Sequence, residues 1–190
     1  MPPLPPVAER TLQAVGARRR VPGTPTRSEF VGRLRQIGGE GEGLVAVFDA
    51  RSIAGERHLY SAWAHLGRSR ARGEARLRDR AAELALFVAG DDQLPRALQK
   101  VGVQEDTEEM VVVAERPRDL KATVAAFGLE EAEGVFPRPP SEETLRRLGI
   151  LEVDRRAVPE ATWEGLVLER VALLELEGAH ATKGPPTTKS

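Results

Sequence analysis

Three short apolar runs set the limits on how this chain can fold. Two of them, residues 44–48 (LVAVF) and 110–114 (MVVVA), are continuous and have the length of strands buried on both faces. The third, residues 84–89 (LALFVA), continues a helical repeat and is apolar all round, so we expect a deeply buried helix. Strands separated by helices predict an α/β (α+β) fold: a small mixed sheet covered by several helices, in a single domain.

Apolar residues recur at helical spacing in two neighbouring segments, residues 59–66 and 77–88. We predict that Gly90 ends the second helix and that Asp92 caps a short helix over residues 93–101. Three more helices are expected, at residues 118–127, from the capping-box-like start at 141–144, and at 160–177.

A weaker pattern precedes the first strong strand. Residues 30–37 are predicted as a strand, and the glycine-rich residues 38–43 as a hairpin turn leading into residues 44–48. Residues 1–28 are rich in proline and are interpreted as a flexible extension. The domain is therefore predicted to span residues 29–177, followed by a flexible tail over residues 178–190.

Charge is segregated along the chain, although the net charge is only −1. Residues 51–80 hold eight arginines and three acids, a net charge of +5, whereas residues 105–177 hold eighteen acids and nine bases, a net charge of −9. Solvated surface is the ordinary explanation for such runs, and a basic face that binds nucleic acid is the functional one.

Composition favours a cytoplasmic protein. Hydrophobic residues make up 41% and charged residues 30%, as in ordinary globular domains. No apolar stretch approaches the roughly 20 residues that span a bilayer, so no membrane contact is expected. The chain has no cysteine, which excludes disulfides, thiolate metal sites and a cysteine nucleophile.

The sequence lacks the motifs of common enzyme classes. Its histidines, His58, His65 and His180, do not have the spacing of a metal site, and no nucleophile elbow is present. The glycine-rich residues 38–43 place carboxylates where a phosphate-binding loop would hold phosphate. We therefore expect no catalysis, no metal, no cofactor and no small-molecule substrate. A small α/β enzyme with a site assembled from distant residues remains an alternative.

The closing helix carries more apolar surface than one contact needs. Trp163, Val167, Val171 and Leu174 form one stripe, and a second apolar set occupies much of the remaining circumference. Such a helix must be covered on more than one side, either by its own domain or by a partner protein. The candidate partner-binding residues are Leu168, Ala172 and Leu176.

Three segments resemble a known family, the small accessory subunit of the KEOPS tRNA-modification complex, called the PRPK-binding protein in animals. They are residues 48–59 (FDARSIAGERHL), 83–102 (ELALFVAGDDQLPRALQKVG) and 166–176 (LVLERVALLEL). The first resembles the family's Asp-Ala pair, small-residue loop and helix-initiating histidine. The second resembles its buried helix, terminal glycine and Gln-Leu pair, and the third its closing helix.

The resemblance implies a non-catalytic subunit. In the KEOPS complex, another subunit installs threonylcarbamoyl on tRNA, and a kinase-like ATPase subunit regulates it. The accessory subunit docks on that ATPase and helps to recruit tRNA through its 3′ CCA end. This chain has Asp92 where the family often has a basic residue, so contact at that loop is expected through the backbone and Gln93. A protein–protein adaptor that never touches RNA is the alternative within this interpretation.

Arginine suits phosphate because its planar fork donates parallel hydrogen bonds. The arginines at 68, 70, 72, 76, 78 and 80 therefore predict an RNA-binding surface, on which Tyr60, Trp63 or His58 would stack a base. For Trp63, its place on an apolar stripe favours the core, whereas His58 is expected near the surface. The candidate RNA-binding residues are Arg57, His58, Arg68, Arg70, Arg72, Gly90, Gln93 and Leu94.

Overall fold

The computed structural model describes residues 12–20, 27–39 and 43–181. The strands of this part of the chain are β1 (Gln13–Arg19), β2 (Val45–Asp49), β3 (Glu109–Ala114) and β4 (Leu129–Glu131). The α-helices are α1 (Arg27–Gly38), α2 (Glu56–Ala71), α3 (Arg80–Ala89), α4 (Leu94–Val101), α5 (Pro117–Ala126), α6 (Glu142–Arg147), α7 (Glu152–Ala157) and α8 (Trp163–Ala181). Short 3₁₀ turns occur at Ala50–Ser52 and Glu160–Thr162. The predicted α/β class in a single domain is confirmed.

The four strands form one sheet in the order β2-β3-β1-β4. Every pairing is antiparallel, so the sheet is not mixed as predicted. Val112 of β3 lies opposite Val15 of β1 on one side and Val47 of β2 on the other. The two valine-rich segments that dominate the sequence are therefore neighbours in the sheet, as their unbroken apolar character indicates.

Helices cover both faces of the sheet. Successive side chains of a strand point to opposite faces. Val111 and Val113 accordingly belong to the larger core, which includes buried residues of α2, α3, α4, α6 and α8. Met110, Val112 and Ala114 belong to a smaller core, against which partly buried residues of α1 and α5 pack. This arrangement explains why β3 is buried at almost every position.

The prediction of a strand at residues 30–37 is wrong, because these residues lie within α1. Phe30, Leu34 and Ile37 pack against the smaller core. Their spacing of four and three residues is that of one helix face. The predicted hairpin turn over residues 38–43 instead connects a helix to a strand, and its residues 40–42 lie outside the described part of the chain.

The prediction that residues 1–28 form an extension is wrong for β1, which pairs with β3 on one side and β4 on the other. Leu12 and Ala17 are buried in the two cores. The predicted start of the domain at residue 29 is also too late for α1. At the other end, α8 continues to Ala181, past the predicted boundary at residue 177. Residues 1–11, 21–26 and 182–190 of the predicted extension and tail lie outside the described residues.

The other predicted elements are confirmed. Residues 44–48 and 110–114 form β2 and β3 with shifts of one residue at their ends, and α3 is buried over residues 83–89. Gly90 ends α3 in the left-handed region, with φ 57°. Ser141 caps α6 through a reciprocal capping box with Thr144.

Candidate RNA and partner interfaces

The Asp49-Ala50 pair of the first resembling segment serves the fold. The Asp49 side chain is fully buried, and it accepts hydrogen bonds from the Arg51 backbone N–H at 2.9 Å and from Thr107 Oγ1 at 3.0 Å. The Arg51 guanidinium also bonds both carboxylate oxygens, and Arg147 of α6 lies 3.5 Å away. Asp49 thus ties the end of β2 to α6 and to the segment before β3.

Arg70 and Arg76 hold a buried carboxylate on α3. Glu83 has a fully buried side chain, and Arg70 Nε donates to its Oε2 at 2.7 Å. The backbone N–H of Arg76 donates to its Oε1 at 2.8 Å. Arg70 also donates to the Leu77 carbonyl at 2.5 Å. Arg70, predicted to bind RNA, is therefore committed to neutralising a charge inside the domain.

A second carboxylate gathers three basic side chains between α2 and α8. Arg72 Nη2 lies 2.5 Å from Glu175 Oε1, Arg68 Nη2 lies 3.3 Å from Oε2, and His65 Nδ1 also contacts Oε2. Burial alone would raise the pKa of Glu175, but hydrogen bonds from Arg72, His65 and Arg68 lower it to about 2. The side chains of Arg68 and Arg72 are still 48% and 41% exposed.

The rest of the arginine run also points to internal acceptors. Arg76 donates to the Leu174 carbonyl. Arg80 donates to both carboxylate oxygens of Glu115, the residue after β3, and its Nη2 lies 2.5 Å from Oε1. Within the described residues, Arg78 is the member of the run whose exposed side chain makes no hydrogen bond or ion pair. The run therefore locks α2, α3 and α8 together, and most of its charge is met within the domain.

His58 does not lie near the surface as expected; it is fully buried. Its Nδ1 accepts from the Ala54 backbone N–H at 3.1 Å, and its Nε2 lies 2.9 Å from the Val88 carbonyl, to which it donates. Burial is the main cause that lowers the pKa of His58 to about 4. His58 is thus a neutral tie between α2 and the end of α3, and its ring has no free face for a base.

Tyr60 and Trp63 differ in exposure. Trp63 packs against the larger core as its stripe position predicts, with the Arg80 guanidinium 5.5 Å from its ring centre. Tyr60 is 41% exposed, and its hydroxyl donates to the Leu12 carbonyl at 3.1 Å. Arg57, one turn earlier on α2, is 74% exposed and pairs with Glu164 of α8 at 3.1 Å.

The predicted RNA loop lies between α3 and α4. Gln93 is exposed and Leu94 is half-buried against the larger core. Asp92 does not cap α4 as predicted: Gln93 is the N-cap residue, with no side-chain cap, and Asp92 pairs with Arg96 at 3.0 Å. Asp91 Oδ1 accepts the backbone N–H of Gln93 at 3.0 Å. Burial raises the pKa of Asp91, but hydrogen bonds from Lys100, the Gln93 backbone and Arg96 outweigh it and leave the pKa below its usual value.

Two basic residues next to this loop were missed by the sequence interpretation. The stem of Arg170 lies over Gly90, where a side-chain Cβ would come within 2.5 Å of Arg170 Cγ. The Nη2 of Arg170 and the Nζ of Lys100 lie 3.7 Å and 3.6 Å from the position that a Cβ on Gly149 would occupy. Lys100 pairs with Asp91 at 2.9 Å, whereas Arg170 has no hydrogen bond or ion pair within the described residues.

The closing helix α8 divides into an inner and an outer face. Its predicted inner stripe is buried: Trp163, Val167, Val171 and Leu174. On the outer face Leu176 is 56% exposed, and Leu168 and Ala172 are half-buried. The sequence interpretation omitted Leu173, which is 47% exposed. We call Leu168, Ala172, Leu173 and Leu176 the α8 strip.

An open groove lies at the β4 edge of the sheet, lined by Arg18, Arg19, Arg20 and residues 130–133. No group of three or more histidine and carboxylate side chains in the described part of the chain could hold a metal ion. None of the helices described combines the length and the apolar character that a membrane span requires.

No protein-family model matches the chain. A search of curated proteins likewise finds no match.

Proposed function

We propose that this protein is the non-catalytic accessory subunit of a cytoplasmic KEOPS complex, which docks the kinase-like ATPase subunit and helps to recruit tRNA through its 3′ CCA end. The observation that carries the proposal is the α8 strip. Its helix is anchored in the core along one face, yet Leu173 and Leu176 are large aliphatic side chains left about half exposed on another. The segment that resembles the family's closing helix contains the whole strip.

The chemistry of the strip fits a protein partner. Leu168 and Leu176 lie eight residues apart, two helical turns, with the small Ala172 between them. A partner helix or sheet can approach closely over the small residue and bury the leucines on either side of it. Glu169 is exposed on the same helix, so a basic group at the rim of the partner would be favoured there.

The tRNA part of the proposal is supported at the loop between α3 and α4, more than by the arginine run. Gly90 and Gln93 of this loop adjoin Arg96, Lys100 and Arg170. Asp91 and Asp92 are matched by Lys100 and Arg96, so Arg170 leaves this surface with one net positive charge. An exposed basic surface of this kind suits a single-stranded RNA end.

The docking test replaces Leu173 or Leu176 by Asp and measures binding to a purified kinase-like ATPase subunit by interferometry. Leu151→Asp is the matched control, because Leu151 is 64% exposed but lies outside α8. We expect at least a tenfold loss of affinity for the strip variants and less than a twofold change for the control, with unfolding midpoints unchanged. If the two strip variants bind the ATPase subunit with the same affinity as the Leu151→Asp control, the docking role is rejected.

The tRNA test compares binding of intact tRNA with tRNA lacking its 3′ CCA nucleotides over a range of salt concentrations. The proposal requires weaker binding without CCA and a decrease of affinity with salt. If neither tRNA binds while the ATPase subunit does, the protein is an adaptor that does not contact RNA. Charge reversal of Arg70 is not a suitable test, since it would leave Glu83 buried without its partner.

A further inference from the structure

The Arg170 side chain lies against Gly90 and ends close to Gly149, two glycines from different parts of the fold. At Gly90 the absence of a side chain lets the Arg170 stem lie against the backbone, since a Cβ there would stand 2.5 Å from Cγ. At Gly149, in the turn after α6, the absence of a side chain leaves open the space that the Arg170 guanidinium borders. Both glycines have positive φ, 57° and 78°, so a side chain is disfavoured at each on backbone grounds as well.

Lys100 reaches the same space from α4. Its Nζ and the Arg170 Nη2 each lie within 4 Å of the point where a Gly149 Cβ would stand. A phosphate group can bridge two cations whose nitrogens lie up to about 8 Å apart, because each charge-assisted bond is about 2.8 Å long and the two bonds can end on different oxygens of the group. The two nitrogens are therefore close enough for one phosphate to bridge them.

The charge at this point is positive although a carboxylate is close. Asp91 already accepts from Lys100 at 2.9 Å and from Arg96 at 3.0 Å. Arg96 also pairs with Asp92 at 3.0 Å, so these two cations are matched by two carboxylates and the surplus positive charge is that of Arg170. Arg170 also lies in the open, so an anion can reach it without rearrangement of the core.

We propose that Arg170 and Lys100, spaced by Gly149, form a phosphate-binding site beside the loop that begins at Gly90. Its ligand is a phosphate group of single-stranded RNA, an identity that rests on the proposed tRNA-binding function. The phosphate chemistry itself does not rest on that function. The site would fix the RNA backbone while Gln93 of the adjacent loop and Leu94 at the start of α4 meet the bases.

The test measures binding of the full chain to the ribonucleotide ACCA and to the same oligonucleotide with neutral methylphosphonate linkages. Arg170→Gln is the test variant, and Arg118→Gln is the control, because Arg118 on α5 is 75% exposed and loses the same charge. We expect Arg170→Gln to weaken ACCA binding about tenfold, and the control to change it less than twofold. The slope of log K against log salt should also decrease by about 0.7.

Binding of the neutral oligonucleotide shows how much of the affinity for ACCA depends on the charge of its phosphates and how much on its shape. The wild type should bind it more weakly than ACCA, and Arg170→Gln should lose most of this preference. If Arg170→Gln binds ACCA like the wild type and keeps the full preference, the phosphate site is overturned while the tRNA role stands.

A second arm covers the case in which no RNA binds, which would reject the tRNA role. Inorganic phosphate is then titrated into ¹⁵N-labelled protein. Shifts of the Gly90 and Gly149 amides that disappear in Arg170→Gln support the site on its own. Absence of such shifts in the wild type overturns it.

Discussion

The Arg70 guanidinium lies 2.7 Å from the Glu83 carboxylate, which is fully buried between α2 and α3. The pair shows what the arginine-rich segment does inside this domain. A buried carboxylate is costly unless it is paired and hydrogen-bonded, and Arg70 supplies the pair.

Replacing Arg70 by Ala should therefore lower the free energy of unfolding by about 3 kcal/mol, because Glu83 would remain buried without its cation. Urea denaturation measures the loss. Arg78→Ala is the control and should change stability by less than about 0.5 kcal/mol, since its side chain is exposed and makes no ion pair with any described residue. Equal effects of the two substitutions would contradict a structural role for Arg70.

His58 should make the stability of the domain depend on pH between 6.5 and 4. Its pKa in the folded protein is about 4, below its ordinary value of 6.5, so the unfolded chain binds the proton first. The stability associated with neutral His58 is complete above pH 6.5 and is lost as the pH falls, by about 3 kcal/mol at pH 4. Urea melts at several pH values should show this slope in the wild type. His58→Gln should lack that part of the slope; parallel pH profiles would reject the assignment.

Glu175 should contribute stability in a lower pH range. Its folded pKa of about 2 lies below its ordinary value of 4.5, so its contribution is present above pH 4.5 and is lost as the pH falls through 2. At pH 7, Glu175→Gln should cost about 1–2 kcal/mol, a value limited by screening near the surface. The difference from the wild type should vanish near pH 2 and shrink in high salt. A difference that persists at pH 2 would mean that packing, and not charge, is responsible.

Alanine substitutions at Gly90 and Gly128 distinguish the cost of backbone strain from the cost of a steric clash. Both have φ near 57°, but a Cβ on Gly90 would meet Arg170, whereas a Cβ on Gly128 would have no atom within 4 Å. Gly128→Ala should cost about 1 kcal/mol from strain alone. Gly90→Ala should cost more, and the excess should fall when Arg170 is also replaced by Ala. Thermal unfolding of the four variants measures the coupling, and additive effects would show that Arg170 does not rest on Gly90.

Where an element was predicted correctly, its own residues carry the signal. The valines of β3 and the unbroken apolar run of α3 demand burial whatever their neighbours are. The same applies to Gly90 and to the Ser141 cap, whose effects are local. Residues 30–37 also carry a helical signal, since Phe30, Leu34 and Ile37 share one face, but the pattern is weak.

The features that the sequence did not predict correctly depend on contacts between distant residues. β1 contains Ala14, Gly16 and Ala17, small residues with weak strand preference. Gly16 is required because a Cβ there would lie 2.6 Å from the Phe136 backbone nitrogen, a contact that the local sequence cannot reveal. His58 and Arg70 were assigned to the surface because their buried partners, Val88 and Glu83, lie on another helix. Arg170 and Lys100 converge only in the folded chain.

The position of β1 in the sheet has a consequence for how the molecule assembles. Gln13 lies opposite Ala114, and Ala17 lies opposite Glu131, so the first strand of the described residues pairs with strands made about a hundred residues later. During translation β1 stays without β3 until residue 114 has left the ribosome, and without β4 until residue 131 has left it. Contacts of such long sequence separation slow folding. A fragment that starts at residue 29 would leave β3 and β4 with no strand between them, and their exposed edges would promote aggregation.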